Sequence, residues 1–107
     1  MRLRVATFNL ENLDQRPGAI PSLAERIAVL RPQLEELDAD VLCLQEVNAQ
    51  EGKSHDRSLA ALDALLDGTK YAGHHRNFTT SGDGPRPRDI HNIVTLSPWP
   101  FERGRQV

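Results

Sequence analysis

The chain has 107 residues, a formal net charge of −2, 38% hydrophobic residues and 26% charged residues. This length and composition predict one folded domain with a modest core and exclude a disordered chain, and the small net charge gives no general attraction to polyanions. No apolar run approaches the ~20 residues of a membrane-spanning helix, and Cys43, the single cysteine, cannot form an intramolecular disulfide. We therefore expect a cytoplasmic protein without a membrane span.

The first part of the chain predicts a strand followed by a helix. Residues 3–9 alternate large and small or polar side chains, which is typical of a strand, and residues 11–18 form a polar loop. Ser22 and Glu25 have the spacing of a capping box, which predicts a helix start. An apolar stripe with spacings of four and three residues follows: Leu23, Ile27, Leu30, Leu34 and Leu37. Pro32 interrupts the stripe and predicts that the helix kinks or divides in two.

The rest of the chain predicts three strands and a second helix. Residues 41–44 are apolar on both faces, which favours a central strand covered on both sides. A helix is predicted at residues 58–66 and a strand at residues 70–75. The Gly/Pro-rich residues 79–89 form a loop before the last strand, residues 90–96. The order β-α-β-α-β-β is that of an α/β domain, whose first strand–helix–strand unit we expect to cross over right-handed.

Two polar residues stand where predicted strands end. Asn9 follows the first strand and Glu46 follows the second. If these strands are parallel neighbours, both side chains reach the same rim of the sheet, where ligands of α/β proteins bind. A carboxylate and an amide oxygen are ligands that Mg²⁺ prefers. The alternative is that Asn9 caps a turn and that Glu46 is a solvated charge.

Three segments resemble one known family. Residues 7–13 (TFNLENL) and residues 40–47 (DVLCLQEV) resemble the opening motifs of the endonuclease/exonuclease/phosphatase family, and the second motif is the more specific. Residues 92–100 (NIVTLSPWP) resemble a later strand of that family. The three segments occur in the family's order. The resemblance implies the N-terminal part of a two-sheet β-sandwich flanked by helices.

The resemblance also implies an activity and its residues. Glu46 corresponds to the family's metal-binding glutamate, and Asn9 corresponds to its early active-site asparagine. Both are therefore predicted as catalytic and metal-binding residues. The implied cofactor is Mg²⁺, with Mn²⁺ as an alternative, and the implied reaction is phosphoester hydrolysis. Nucleic acid is the leading substrate class, and phospholipids and sugar phosphates stay open.

Further candidates lie at the start of the last predicted strand. Arg88, His91 and Asn92 are predicted to bind substrate, because charged and polar donors there can face phosphate. The alternative is that loop arginines serve solubility and that His91 is structural. His55, His74 and His75 are expected to be structural or surface residues.

The resemblance implies that residues 1–107 form a partial domain whose C-terminal half is absent. The family's later His, Asp-x-Asn and Asp-His motifs have no counterpart in the sequence. We therefore expect this chain to be inactive alone and to need a complementing C-terminal segment or self-association. The alternatives are a non-catalytic interaction module and a truncated remnant that retains half of the fold.

Overall fold

A computed structural model describes residues 2–51, 57–81 and 85–102. In these residues a sheet is covered on one face by two helices, and a small ribbon lies apart from it. The elements in chain order are β1 (Val5–Leu13), α1 (Leu23–Leu37), β2 (Val41–Val47), β3 (Gln50–Glu51), β4 (Arg57–Ser58), α2 (Ala60–Leu66), β5 (His75–Phe78) and β6 (Asn92–Ser97).

The main sheet has four strands in the order β1-β2-β6-β5. β1 and β2 are parallel, whereas β6 is antiparallel to both β2 and β5. The predicted α/β class is confirmed, and the predicted element order is right except for β3 and β4, which form a short antiparallel ribbon. Within the described ranges, no second large sheet forms, so the two-sheet sandwich is not seen there.

Helix α1 begins as the sequence predicts. The Glu25 N–H donates to Ser22 Oγ, and the Ser22 N–H donates to Glu25 Oε1, both at 3.2 Å. The helix runs without interruption through Pro32 and ends at Leu37, and Asp38, the C-cap residue, has a left-handed φ of 44°. The expectation of a divided helix is therefore wrong. A proline inside a helix costs about 3 kcal/mol, and burial of Leu34 and its neighbours in the stripe offsets that cost.

The core lies between the helices and one face of the sheet. Its fully buried side chains include Leu10, Leu13, Leu34, Leu42, Leu44, Leu62, Leu65, Leu66, Val94 and Leu96. Arg31 of α1 joins the two helices, because its guanidinium donates to the carbonyls of Ala64 and Leu65 at 2.7 and 3.0 Å. These carbonyls belong to the last turn of α2 and have no acceptor role inside the helix. Arg31 therefore caps the C-terminal end of α2 and links α2 to α1.

The strand predicted at residues 70–75 is wrong. Residues 69–73 form turns, and the strand begins only at His75. Tyr71 explains the difference, because its buried hydroxyl accepts from the Ala39 N–H at 2.9 Å and donates to the Leu34 carbonyl at 3.0 Å. This contact holds the segment against the end of α1, out of reach of the sheet.

The second face of the sheet is open. Val5 and Ile93 are more than half exposed on it, at 57% and 56%. β2 lies centrally, but Cys43 on this face is only half-buried. The expectation that β2 is covered on both sides is therefore wrong for the part of the chain that the structure describes.

Candidate active-site rim

Asn9 and Glu46 lie at one rim of the sheet. β1 and β2 pair in parallel with Asn9 opposite Gln45, and Glu46 is the next residue of β2. The two strands therefore deliver their polar ends to the same edge, as parallel neighbours must.

Both strands lose their regular register at this rim. The four steps from Asn9 to Leu13 in β1 lie beside the two steps from Gln45 to Val47 in β2. A second shift lies between Leu44 and Val47, where β2 pairs with β6. Irregularities of this kind change the direction in which side chains point, and they are common next to active sites. The shift in β1 also explains why the strand continues to Leu13, where the sequence predicted a loop from residue 11.

Four non-glycine residues with left-handed backbone cluster at this end of the sheet. Glu11, Asn12, Glu46 and His91 have φ values of 49°, 57°, 58° and 57°. Each such residue costs on the order of 1 kcal/mol, so the surrounding contacts must hold it in place. Strain of this kind concentrates at functional sites.

The polar groups of Asn9 and Glu46 differ in their partners. The Asn9 Oδ1 atom accepts from the Glu11 N–H at 2.8 Å, which fixes the amide, although its oxygen keeps a second lone pair. The Glu46 side chain is half-buried and has no hydrogen bond or ion pair with any described residue. A half-buried carboxylate without a protein partner is available to a cation.

Asn48 connects the rim to three other segments. It is only 2% exposed, and its backbone N–H donates to the Leu13 carbonyl at 3.0 Å. The side-chain Oδ1 accepts from the His91 N–H at 2.9 Å, and the side-chain Nδ2 donates to Asp14 Oδ2 at 3.0 Å. Gln50 extends this network, because its Nε2 donates to Asp14 Oδ1 and its Oε1 accepts from the Ala61 N–H. The first turn of α2 is thereby tied to the rim.

The Asp14 carboxylate is the negative centre of this network. Partial burial pushes its pKa upward, but hydrogen bonds from Asn48, Gln50 and the Gln15 N–H, with the charge of Arg16, hold the pKa below its usual value. Asp14 therefore stays ionised at neutral pH and keeps the two amides in place.

The three predicted substrate-binding residues have different surroundings. Arg88 is exposed, and its guanidinium has no partner among the described residues. His91 is exposed, with its Nε2 atom 2.7 Å from Asn12 Oδ1. Asn92 is buried, and its amide binds the backbone of Arg88 twice and the Val47 carbonyl once. Asn92 therefore positions the loop that carries Arg88 and His91.

An open pocket of about 500 Å³ adjoins the rim. Its walls come from the end of β1 and the loop after it, from the segment after β2 and from the segment before β6, and they include Glu11, Asn12, Asn48 and His91. The sequence reading missed Asn12 and Asn48. Asn12 lies inside the TFNLENL segment, so the resemblance of that segment could have identified it. Asn48 is one polar residue in a polar loop, and no sequence pattern distinguishes it from its neighbours.

Across residues 2–51, 57–81 and 85–102, no group of three or more His, Cys, Asp or Glu side chains is placed to hold a metal ion. None of the helices found there is long and apolar enough to cross a membrane.

The sequence profile of the Endonuclease/Exonuclease/phosphatase family matches residues 6–107. The chain belongs to this family. No curated protein sequence and no solved structure matches it significantly. For this member of the endonuclease/exonuclease/phosphatase family, the catalytic and metal-binding roles of Asn9 and Glu46 stay predictions.

Proposed function

We propose that this endonuclease/exonuclease/phosphatase family member takes part in Mg²⁺-dependent hydrolysis of a phosphoester, with nucleic acid as the leading substrate class. The observation that carries the proposal is the parallel pairing of β1 and β2. It brings Asn9 and Glu46 to one rim and leaves the Glu46 carboxylate without a described partner.

The donor groups at the rim suit Mg²⁺ in kind. Mg²⁺ is usually held by one or two carboxylates, with water and substrate phosphate completing its shell. Glu46 offers a carboxylate, and Asn9 offers the second lone pair of its amide oxygen. When bound, the ion would neutralise negative charge on the phosphate and lower the pKa of a coordinated water molecule. With Mn²⁺ the same oxygen donors serve, since both ions take carboxylate and carbonyl ligands.

The chain's own residues have separate tasks in this proposal. Glu46 anchors the cation, and the Asn9 Nδ2 group, which has no described partner, donates a hydrogen bond to a phosphate oxygen. Arg88 supplies a further donor to phosphate from the loop before β6, and His91 in the same loop stays a predicted substrate-binding residue. Asn92 holds that loop through its bonds to the backbone of Arg88.

The open sheet face supports a further part of the proposal. Val5 and Ile93 expose apolar surface on a central sheet, which a folded protein normally covers. We propose that a second sheet packs there, from a complementing segment or a second copy, and completes the sandwich. The remaining catalytic groups then come from that segment, and residues 1–107 alone are expected to be inactive.

The same open face favours one alternative function. A sheet with an exposed apolar face is also what a non-catalytic interaction module presents to a protein partner. In that case Glu46 has no role in binding, and its replacement leaves partner binding unchanged.

The test is Mg²⁺-dependent cleavage of plasmid DNA and bis-p-nitrophenyl phosphate, with and without a supplied C-terminal half of a family domain. Glu46→Gln is the informative variant, and Glu36→Gln on the exposed surface of α1 is its matched control. We expect turnover only with the complementing half, lost in Glu46→Gln and retained in Glu36→Gln. Metal-independent turnover, or equal turnover in both variants, contradicts the proposal. Turnover by the chain alone, lost in Glu46→Gln, contradicts only the need for a complementing segment.

A further inference from the structure

The pocket beside the rim has an apolar lip formed by two loops. Ile20 in the loop after β1 is 97% exposed, and Ile90 before β6 is 45% exposed. Both line the same pocket. The core contains neither side chain, so the fold itself does not require large apolar residues at these positions. Two aliphatic side chains that flank one opening offer a surface to a flat apolar ring.

The charges that line the pocket cancel. Glu11 and Asp14 are acidic, and Arg16 and Arg26 are basic. Arg16 pairs with Asp14 at 3.4 Å, and Arg26 donates to the carbonyl of Asn12 at 3.2 Å and also to that of Leu10. The remaining carboxylate, that of Glu11, has no partner among the described residues. Arg26 likewise has no carboxylate partner among the described residues, so its charge and that of Glu11 balance. The pocket therefore carries no net positive charge that would favour a second phosphate group over a neutral group.

Unused hydrogen-bonding groups also line the pocket. Asn12 uses its Oδ1 atom as an acceptor for His91 Nε2, which leaves its Nδ2 group without a described partner. The same bond requires the proton of the neutral His91 ring to sit on Nε2, so Nδ1 is an acceptor. The pocket lining therefore offers both a donor and an acceptor, and the edge of a nucleobase presents groups that can bind each of them.

We propose that this pocket is a subsite for a nucleobase, namely the base of a nucleotide whose phosphate lies at the Asn9–Glu46 rim. The inference rests on the proposed function for the location of the phosphate. Glu11 links the two places, because its N–H is bonded to Asn9 Oδ1 and its side chain lines the pocket. Ile20 and Ile90 contact the faces of the base, and Asn12 and His91 bind its edge.

The test measures binding of adenosine monophosphate, adenosine and ribose 5-phosphate to the ¹⁵N-labelled chain by NMR, without metal and with chelator present. We expect adenosine monophosphate and adenosine to shift the amide resonances of Ile20, Ile90 and His91, and ribose 5-phosphate to leave them in place. The double variant Ile20→Ala/Ile90→Ala is expected to raise the Kd for adenosine about tenfold. Val29→Ala, which replaces an exposed aliphatic side chain of α1 outside the pocket, is the control and is expected to keep the original Kd.

Three outcomes overturn the subsite. One is equal shifts with ribose 5-phosphate, another is an unchanged Kd in the double variant, and the third is no shift at these amides at millimolar ligand. Because the measurement needs neither metal nor turnover, it separates the two proposals. Base binding without hydrolysis would support the nucleobase subsite and contradict the proposed hydrolysis. Hydrolysis without base binding would support the proposed hydrolysis and contradict the subsite.

Discussion

His91 and Asn12 are 79 positions apart in the sequence, yet the His91 Nε2 atom lies 2.7 Å from Asn12 Oδ1. The contact joins the end of β1 to the loop before β6, and both residues line the pocket. Both residues have left-handed backbone, so each presents its side chain from a conformation that the neighbouring contacts must hold.

Replacing His91 removes its hydrogen bond to Asn12, and with it this link between β1 and the loop before β6. We expect His91→Ala to lower the free energy of unfolding by no more than about 1 kcal/mol, because one exposed hydrogen bond is lost. The same change should raise KM for a nucleotide substrate more than it lowers kcat, since the loops position the substrate. Chemical denaturation and steady-state kinetics of the complemented enzyme measure the two effects. A fall in kcat with unchanged KM would show instead that His91 acts in the chemical step.

Replacing Asn48 by aspartate tests the network around Asp14. The change keeps the shape of the side chain but places a second carboxylate 3.0 Å from Asp14 Oδ2. We expect a loss of about 2–4 kcal/mol at neutral pH, because a buried donor becomes a buried like charge.

The loss in Asn48→Asp should shrink as the pH falls, because the neighbouring like charge raises the pKa of one of the two carboxyl groups, which then takes up a proton. Urea denaturation at several pH values measures this dependence. Asn48→Ala is the control, since it removes the hydrogen bonds without adding charge. A pH dependence equal to that of Asn48→Ala would contradict this account of the network.

Tyr71→Phe isolates the contact that fixes the turn before β5. Its hydroxyl binds the Ala39 N–H and the Leu34 carbonyl, and both groups are buried with it. Removing the hydroxyl leaves them unsatisfied, so we expect a loss of about 1–3 kcal/mol in the free energy of unfolding. Thermal and urea denaturation measure it, and the exposed Phe101→Leu serves as control. A loss no larger than that of the control would show that water replaces the hydroxyl.

His74 makes stability depend on pH. Burial, and to a smaller extent the positive charge of Lys70, lowers the pKa of His74 below its usual value. Its Nε2 atom is buried and has no hydrogen-bond partner among the residues that the structure describes. Because the unfolded chain takes up this proton more readily, the free energy of unfolding should decrease as the pH falls below about 6.5, down to the folded-state pKa.

The matched variant for this pH dependence is His74→Gln, which has no titrating group. We expect its free energy of unfolding to vary less with pH in that window than that of the unchanged chain. His75→Gln, at the exposed neighbouring position, should keep the original pH dependence. An identical profile for His74→Gln and the unchanged chain would exclude His74 as the source.

Local patterns predicted the elements that depend on local contacts. The capping box of Ser22 and Glu25 forms because both partners lie within one turn, and the sequence shows them directly. The sequence also showed where the regular part of β1 and of β2 stops, because alternation and apolar runs end near Asn9 and Glu46, although β1 itself continues to Leu13. Their roles as catalytic and metal-binding residues stay predictions.

The features that the sequence did not predict depend on contacts between residues that are far apart in the chain. Tyr71 does not lie in the expected strand because its hydroxyl binds the Leu34 carbonyl, 37 positions away, and the Ala39 N–H, 32 positions away. The register shifts at the rim depend on how two neighbouring strands meet, which no single strand encodes. Asn48 became visible as a connecting residue only when its partners on three segments were known.

The hydrogen bonds at the rim span 34, 43 and 79 positions of the chain. Closing such long loops costs conformational entropy before any contact is gained, so these bonds are expected to form late in folding. Partly folded chains then lack an assembled pocket even when α1 and the first strands are in place. The protein would acquire its binding surface in one step, at the end of folding, and would not engage substrate before that.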